Sequence, residues 1–162
     1  MVVPEIIEEK DRNKRIIRDL YKAIIFKDAD TLHLLLAPNL EWWFHGPQRH
    51  RHHLIPFLTC SSSSASSSNP FVPHLIEEFG STVIIAEGYD KVNNVWWVHA
   101  WTITVDGVIT QIREYLNTSV IVTKLRKHLD ADDDDACYSS MGHCVWKSKL
   151  IDDSVPGLIL AI

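Results

Sequence analysis

Apolar residues recur at helical spacing over residues 6–27, where Ile16, Ile17, Leu20, Tyr21, Ile24 and Ile25 are separated by charged side chains. Such a stripe predicts a long amphipathic helix. After the break at Lys27 and Asp28, either Asp28 or Asp30 can cap a second, short helix that carries Leu32, Leu35 and Leu36 and is ended by Pro38. The two helices should form a hairpin with one shared apolar side. Over residues 40–45 the pattern changes: Trp42, Trp43 and Phe44 are bulky aromatics favoured in strands, and Gly46-Pro47 stops them. Residues 50–59 can hold one or two helical turns, with Pro56 tolerated only in a first turn. Residues 71–79, 81–87, 95–105 and 108–122 then read as four strands, separated by Gly80, by Gly88-Tyr89-Asp90 and by the tight Asp106-Gly107 turn. Short turns between strands predict an antiparallel meander.

This order of elements predicts an α+β domain in which N-terminal helices cover one side of a curved antiparallel sheet and enclose a pocket. One domain should span 1–162, with flexible loops at 60–70 and 126–143. The first of these loops is dominated by serine and is too polar to offset the entropy of ordering it. The second contains the run Asp132-Asp133-Asp134-Asp135, a block of like charge that reads as a solvated loop and not as a cation site. The apolar tail, with Trp146, Leu150, Val155 and the stretch 158–162, should pack back onto the domain or onto a second subunit.

Charge narrows the partners. The formal net charge is −5, so no basic field draws a nucleic-acid backbone or an anionic membrane, and neither is expected as a partner. The N-terminal residues alternate in charge and do not read as a secretory leader, and the apolar tail is too short to cross a bilayer. Cys60, Cys137 and Cys144 form no Cys-x-x-Cys pair and no even framework, which predicts free thiols in a reducing compartment. The expected location is the cytoplasm, with diffusion into the nucleus open to so small a chain.

In the third strand of the meander, odd positions give Val95, Trp97, His99, Trp101 and Ile103, the face expected to be buried. His99 is then an imidazole between two indoles. It reads either as a core histidine with one hydrogen bond or as a pocket donor or general base. On the strand at residues 40–45, Leu40, Trp42 and Phe44 share one face, and Glu41, Trp43 and His45 share the other. If Glu41 and His45 point inward they form an acid and base pair; otherwise they are a solvated rim. His50, His52 and His53 cluster beside two arginines without a cysteine or carboxylate at zinc spacing, so no metal is expected. No phosphate-cradling glycine loop, nucleophile elbow or His-Glu-x-x-His occurs, and no cofactor is expected.

Four segments carry a family resemblance: Leu36-Ala-Pro-Asn-Leu-Glu-Trp-Trp-Phe-His-Gly-Pro47, Trp97-Val-His-Ala-Trp101, Asp106-Gly-Val-Ile-Thr-Gln-Ile-Arg-Glu-Tyr115 with Asn117-Thr118, and Ser154-Val-Pro-Gly-Leu-Ile-Leu-Ala-Ile162. On these the chain resembles the plant wound-induced protein 1 family, also described as senescence-associated and assigned to the nuclear transport factor 2-like superfamily. The resemblance implies that fold, shared with polyketide-cyclase-like and ketosteroid-isomerase-like domains, and a homodimer formed through the sheet. It implies no assigned reaction. Isomerases of the fold use two carboxyl groups and a helix tyrosine; by rough position the resemblance sets these against His45 or Phe44, His99, and Tyr21 or a neighbour, and neither carboxylate is reproduced. Two readings follow. One is a stress-response protein that binds a small apolar or aromatic metabolite, with Tyr21, Trp42, Trp43, Phe44, Trp97, Trp101 and Tyr115 as walls. The other is a cofactor-independent cyclase, isomerase or dehydratase in which His99 or His45 is the general acid or base.

Overall fold

A computed structural model describes residues 3–48, 54–60, 71–125 and 143–162. Helix α1 (Val3–Phe26) is followed by α2 (Ala29–Leu35), strand β1 (Leu36–His45) and the short helix α3 (Ile55–Leu58). Strands β2 (Leu75–Phe79), β3 (Val83–Asp90), β4 (Val95–Ile103), β5 (Ile109–Leu116), β6 (Ser119–Leu125), β7 (His143–Lys147) and β8 (Gly157–Ala161) complete the chain.

The helical stripe does what its spacing requires. Ile17, Leu20, Tyr21 and Ile24, at the i, i+3, i+4 and i+7 positions of one helix face, are all buried. Asp28 caps α2, its Oδ1 accepting the Thr31 N–H at 3.1 Å. The helix ends at Leu35, before Pro38, and the chain turns at once into β1, four residues earlier than residue 40. Pro38, which has no N–H to give to a ladder, is accommodated because β1 is an edge strand.

Five strands form the main sheet in the order β1-β5-β4-β3-β2. The β2 to β5 meander is antiparallel as the turns predict, whereas β1 joins β5 in parallel, so the sheet is mixed. A second sheet, β7-β6-β8, was not visible in the pattern. The stretch 108–122, expected as one strand, breaks at Asn117, whose φ of 55° suits the left-handed region that asparagine tolerates. The chain leaves the main sheet there and continues as β6 in the second.

Two cores result. Between the helices and the inner face lie Leu20, Tyr21, Ile24, Phe71, Trp97, Trp101 and Ile112. Between the outer face and the second sheet lie Ile85, Val98, Ala100, Tyr115, Val120, Val122 and Trp146, with Leu158 and Leu160 against them. The apolar tail therefore packs back on its own domain. Of the expected flexible loops, 61–70 and 126–142 lie outside the described residues, as do His50, His52 and His53. Cys60 is a free thiol, but Cys144, buried in the second core, is disulfide-bonded. That corrects the expectation of free thiols throughout: spacing along a chain does not reveal which thiols the fold brings together.

Candidate functional site

The strand pairing decides which side chains meet. In β4 the odd residues Trp97, His99 and Trp101 face the helices, and their register partners on β5 are Leu116, Glu114 and Ile112. Cross-strand partners share a face. Glu114 is thereby brought to His99, and its Oε2 lies 2.9 Å from His99 Nε2. From the other side α1 delivers Tyr21, whose hydroxyl lies 2.7 Å from His99 Nδ1 and accepts the Trp101 Nε1–H at 3.0 Å. The accessible surface of His99 and Glu114 is 0%, and that of Tyr21 is 2%.

One proton arrangement satisfies this chain. Trp101 donates to the Tyr21 oxygen, the Tyr21 O–H donates to Nδ1, and Nε2–H donates to the Glu114 carboxylate, so the ring is neutral with its proton on Nε2. A doubly protonated ring would leave the tyrosine proton without an acceptor. Burial, with the nearby Glu114 charge acting the same way, holds the Tyr21 hydroxyl well above the usual phenol range, while the Trp101 bond pulls it down. Tyr21 is therefore a donor and not a phenolate.

The chain of bonds is incomplete at two atoms. Glu114 Oε1 and Trp97 Nε1 are buried and have no hydrogen-bond partner among the described residues. Leaving such a group unpaired costs about 1–3 kcal/mol. Both flank the same imidazole, since the Trp97 ring centroid is 4.6 Å from that of His99. Phe71 closes the site at 5.0 Å, so the interior around His99 is packed by aromatic rings and is not the open cone expected.

The remaining candidates divide between the two faces of β1. Trp42 and Phe44 point to the inner core, with ring centroids 5.8 Å apart. Glu41, Trp43 and His45 lie on the other face, where the Glu41 carboxylate accepts the Gln111 amide at 2.8 Å and His45 lies near Tyr115, with ring centroids 6.1 Å apart. His45 and Glu41 are thus separated from His99 by the sheet. Trp43, Phe44 and His45 border two clefts, of about 650 and 360 Å³, that open on this outer side. Neither is lined by Tyr21, Trp97, His99 or Trp101.

Glu114 was absent from the sequence candidates, yet a signal for it existed. Counting outward from a two-residue Asp106-Gly107 turn places His99 opposite Glu114, and the strands pair so there, because the turn closes at Thr104 and Val108 and a register shift between Thr102 and Ile103 restores the count.

Helices on the inner face of a curved sheet that carries a buried polar chain define a nuclear transport factor 2-like α+β protein. The chain superposes on Bal32a from a soil-derived mobile gene cassette with a TM-score of 0.52 and 17% identity, covering 67% of this chain and 91% of that one. A nuclear transport factor 2-like protein from Burkholderia xenovorans gives 0.49, with 22% identity over 66% of this chain and 90% of its own. The family model described as wound-induced protein WI12 matches residues 55–162, and the chain belongs to that family. It is 44% identical over 113 residues to wound-induced protein 1 of Solanum tuberosum, covering 67% of this chain and 100% of the relative. It is 46% identical over 110 residues to senescence associated gene 20 of Arabidopsis thaliana, covering 65% of this chain and 97% of the relative. His99 and Glu114 fall within the matched residues, and Tyr21 precedes them.

Proposed function

We propose that this member of the wound-induced and senescence-associated family binds a small, mostly apolar or aromatic metabolite at the interior His99 site, with a hydroxyl or similar donor and acceptor group on the guest. The observation that carries this reading is the pair of unpaired buried atoms flanking His99. Glu114 Oε1 can accept from a guest hydroxyl, and Trp97 Nε1–H can donate to a guest oxygen. Tyr21, Phe71, Trp97 and Trp101 supply the apolar walls that suit a ring. Because His99 and Glu114 are closed from solvent, the guest is admitted only when a wall moves.

Titration of the protein with a panel of phenols and aromatic alcohols, followed by tryptophan emission, tests this. At least one compound should give a saturable change, and Glu114→Gln should weaken it about tenfold, the scale of one charge-assisted hydrogen bond, while thermal stability is kept. No response to any compound would end the proposal.

The enzymatic reading draws on a different feature, the carboxylate, imidazole and hydroxyl in line. Glu114 fixes the His99 tautomer and leaves Nδ1 as the acceptor beside Tyr21, an arrangement suited to general acid and base transfer in an isomerase, cyclase or dehydratase. His99→Gln should then abolish turnover of a bound compound with its affinity largely retained. The homodimer belongs to the same proposal. The outer face of the main sheet is covered by the second sheet, so a second copy would pair through the far face of that sheet, where Val145 and Ile159 are exposed. Sedimentation should show a dimer that Ile159→Glu dissociates. A cytoplasmic location is part of the same proposal; no described helix is long and apolar enough to cross a membrane.

A further inference from the structure

The outer cleft has its own chemistry, although Glu114, the partner of His99, also borders it. In the parallel β1–β5 ladder Trp43 is in register with Arg113 and His45 with Tyr115, so these four side chains form one tile on the outer face. Trp43 is 61% exposed and offers a ring face, while Tyr115 is 5% exposed and packs into the core below. Leu158 and Leu160 of β8 complete a cleft of about 360 Å³, the lower end of the range for small-molecule pockets.

Arg113 is the unusual member. It is half-buried, and no hydrogen bond or ion pair engages its side chain among the described residues. The carboxylate nearest in register on the same face is Glu41, which pairs with Gln111 and accepts its amide at 2.8 Å. Burial raises the Tyr115 phenol's pKa, and the nearby guanidinium opposes part of that rise. A chain of net charge −5 thus keeps one partly desolvated cation uncommitted beside an indole, an imidazole and two leucines. Guanidinium binds carboxylates bidentately and more strongly when partly removed from water.

From this tile we infer that the outer cleft is a second ligand site, specific for a small organic acid whose carboxylate pairs with Arg113 and whose apolar or aromatic body lies between Trp43 and the Leu158–Leu160 wall. His45 at the rim adds a hydrogen bond to the same carboxylate. The site differs from the interior one in wanting a charge.

Benzoate and its uncharged isostere benzamide test the assignment by calorimetry on the full chain. Benzoate should bind at least tenfold more tightly than benzamide. Arg113→Gln should erase that preference, and Arg113→Lys should restore part of it, because the lysine keeps the charge and loses the fork. Trp43→Ala should weaken both compounds and leave their ratio standing. Equal affinities for the two compounds, no saturable binding at millimolar benzoate, or an undiminished preference in Arg113→Gln would overturn the inference. So would benzoate binding lost in His99→Gln and intact in Arg113→Gln, which would put the acid in the interior site. Failure of the phenol panel at His99 would leave the benzoate result unaffected.

Discussion

Single residues set the interior site, and the sequence showed part of it. The two-residue period of β4 placed His99 between Trp97 and Trp101 on the buried face, and all three are there at 1% exposure or less. The period could not choose a face for β1, because both of its faces carry aromatics, and only the inner packing of Trp42 and Phe44 decides it. Glu114 was hidden because a carboxylate on a strand normally reads as solvent-facing. Gly88 was read only as a turn residue, but it lies in β3 opposite Trp97, and a Cβ there would sit 2.5 Å from Trp97 Cζ2. Gly88→Ala should therefore push the indole off its position against His99 and cost about 1–3 kcal/mol, the range for overpacking. Equilibrium denaturation would measure it, and an unchanged midpoint would contradict the close packing of Trp97.

At the scale of elements, the helix hairpin and the β2 to β5 meander followed from periodicity and turns. The second sheet did not, because β7 and β8 are short and flanked by polar residues, and β8 pairs with β6 in parallel across a long interval. What ties the two sheets together includes Glu87 on β3, whose Oε1 accepts the Lys149 N–H at 3.0 Å and whose Oε2 has no partner among the described residues. Burial raises its carboxyl pKa, against the smaller opposing effect of the Lys149 bond. A folded pKa above the unfolded one means that the native state holds the proton more tightly, so the stabilisation is complete below the unfolded value and is lost as pH rises through the folded one. Thermal stability should thus decline from mildly acidic pH toward neutral, and Glu87→Gln should flatten that decline. A variant whose pH profile matches the parent would remove Glu87 as its cause. The second sheet carries Cys144, and alkylation of the denatured chain without reductant should modify Cys60 and spare Cys144, reversing for Cys144 once reductant is added. Equal modification of both in the oxidised protein would contradict the disulfide.

The described residues form three layers: helices, a main sheet and a covering second sheet. An acidic balance and a lack of basic patterning turn the expectation toward small molecules and away from polyanions, but composition is silent on where a small molecule would lodge. The two proposed sites differ in chemistry, one a closed interior packed with hydrogen-bonding aromatics and the other an open cleft beside the Arg113 guanidinium. Only strand register distinguishes them, and register is a property of the assembled sheet.

The central claim is that the imidazole held between Tyr21 and Glu114 responds to a guest. A long-range proton–nitrogen spectrum of the histidine rings, recorded while 2-naphthol is added, tests it most directly. The account predicts that His99 begins as the neutral tautomer protonated on Nε2 and that its two nitrogens shift together, saturably, as naphthol fills the interior. A His99 signal that stays fixed while naphthol binds elsewhere, or a ring protonated on Nδ1 from the outset, would contradict it.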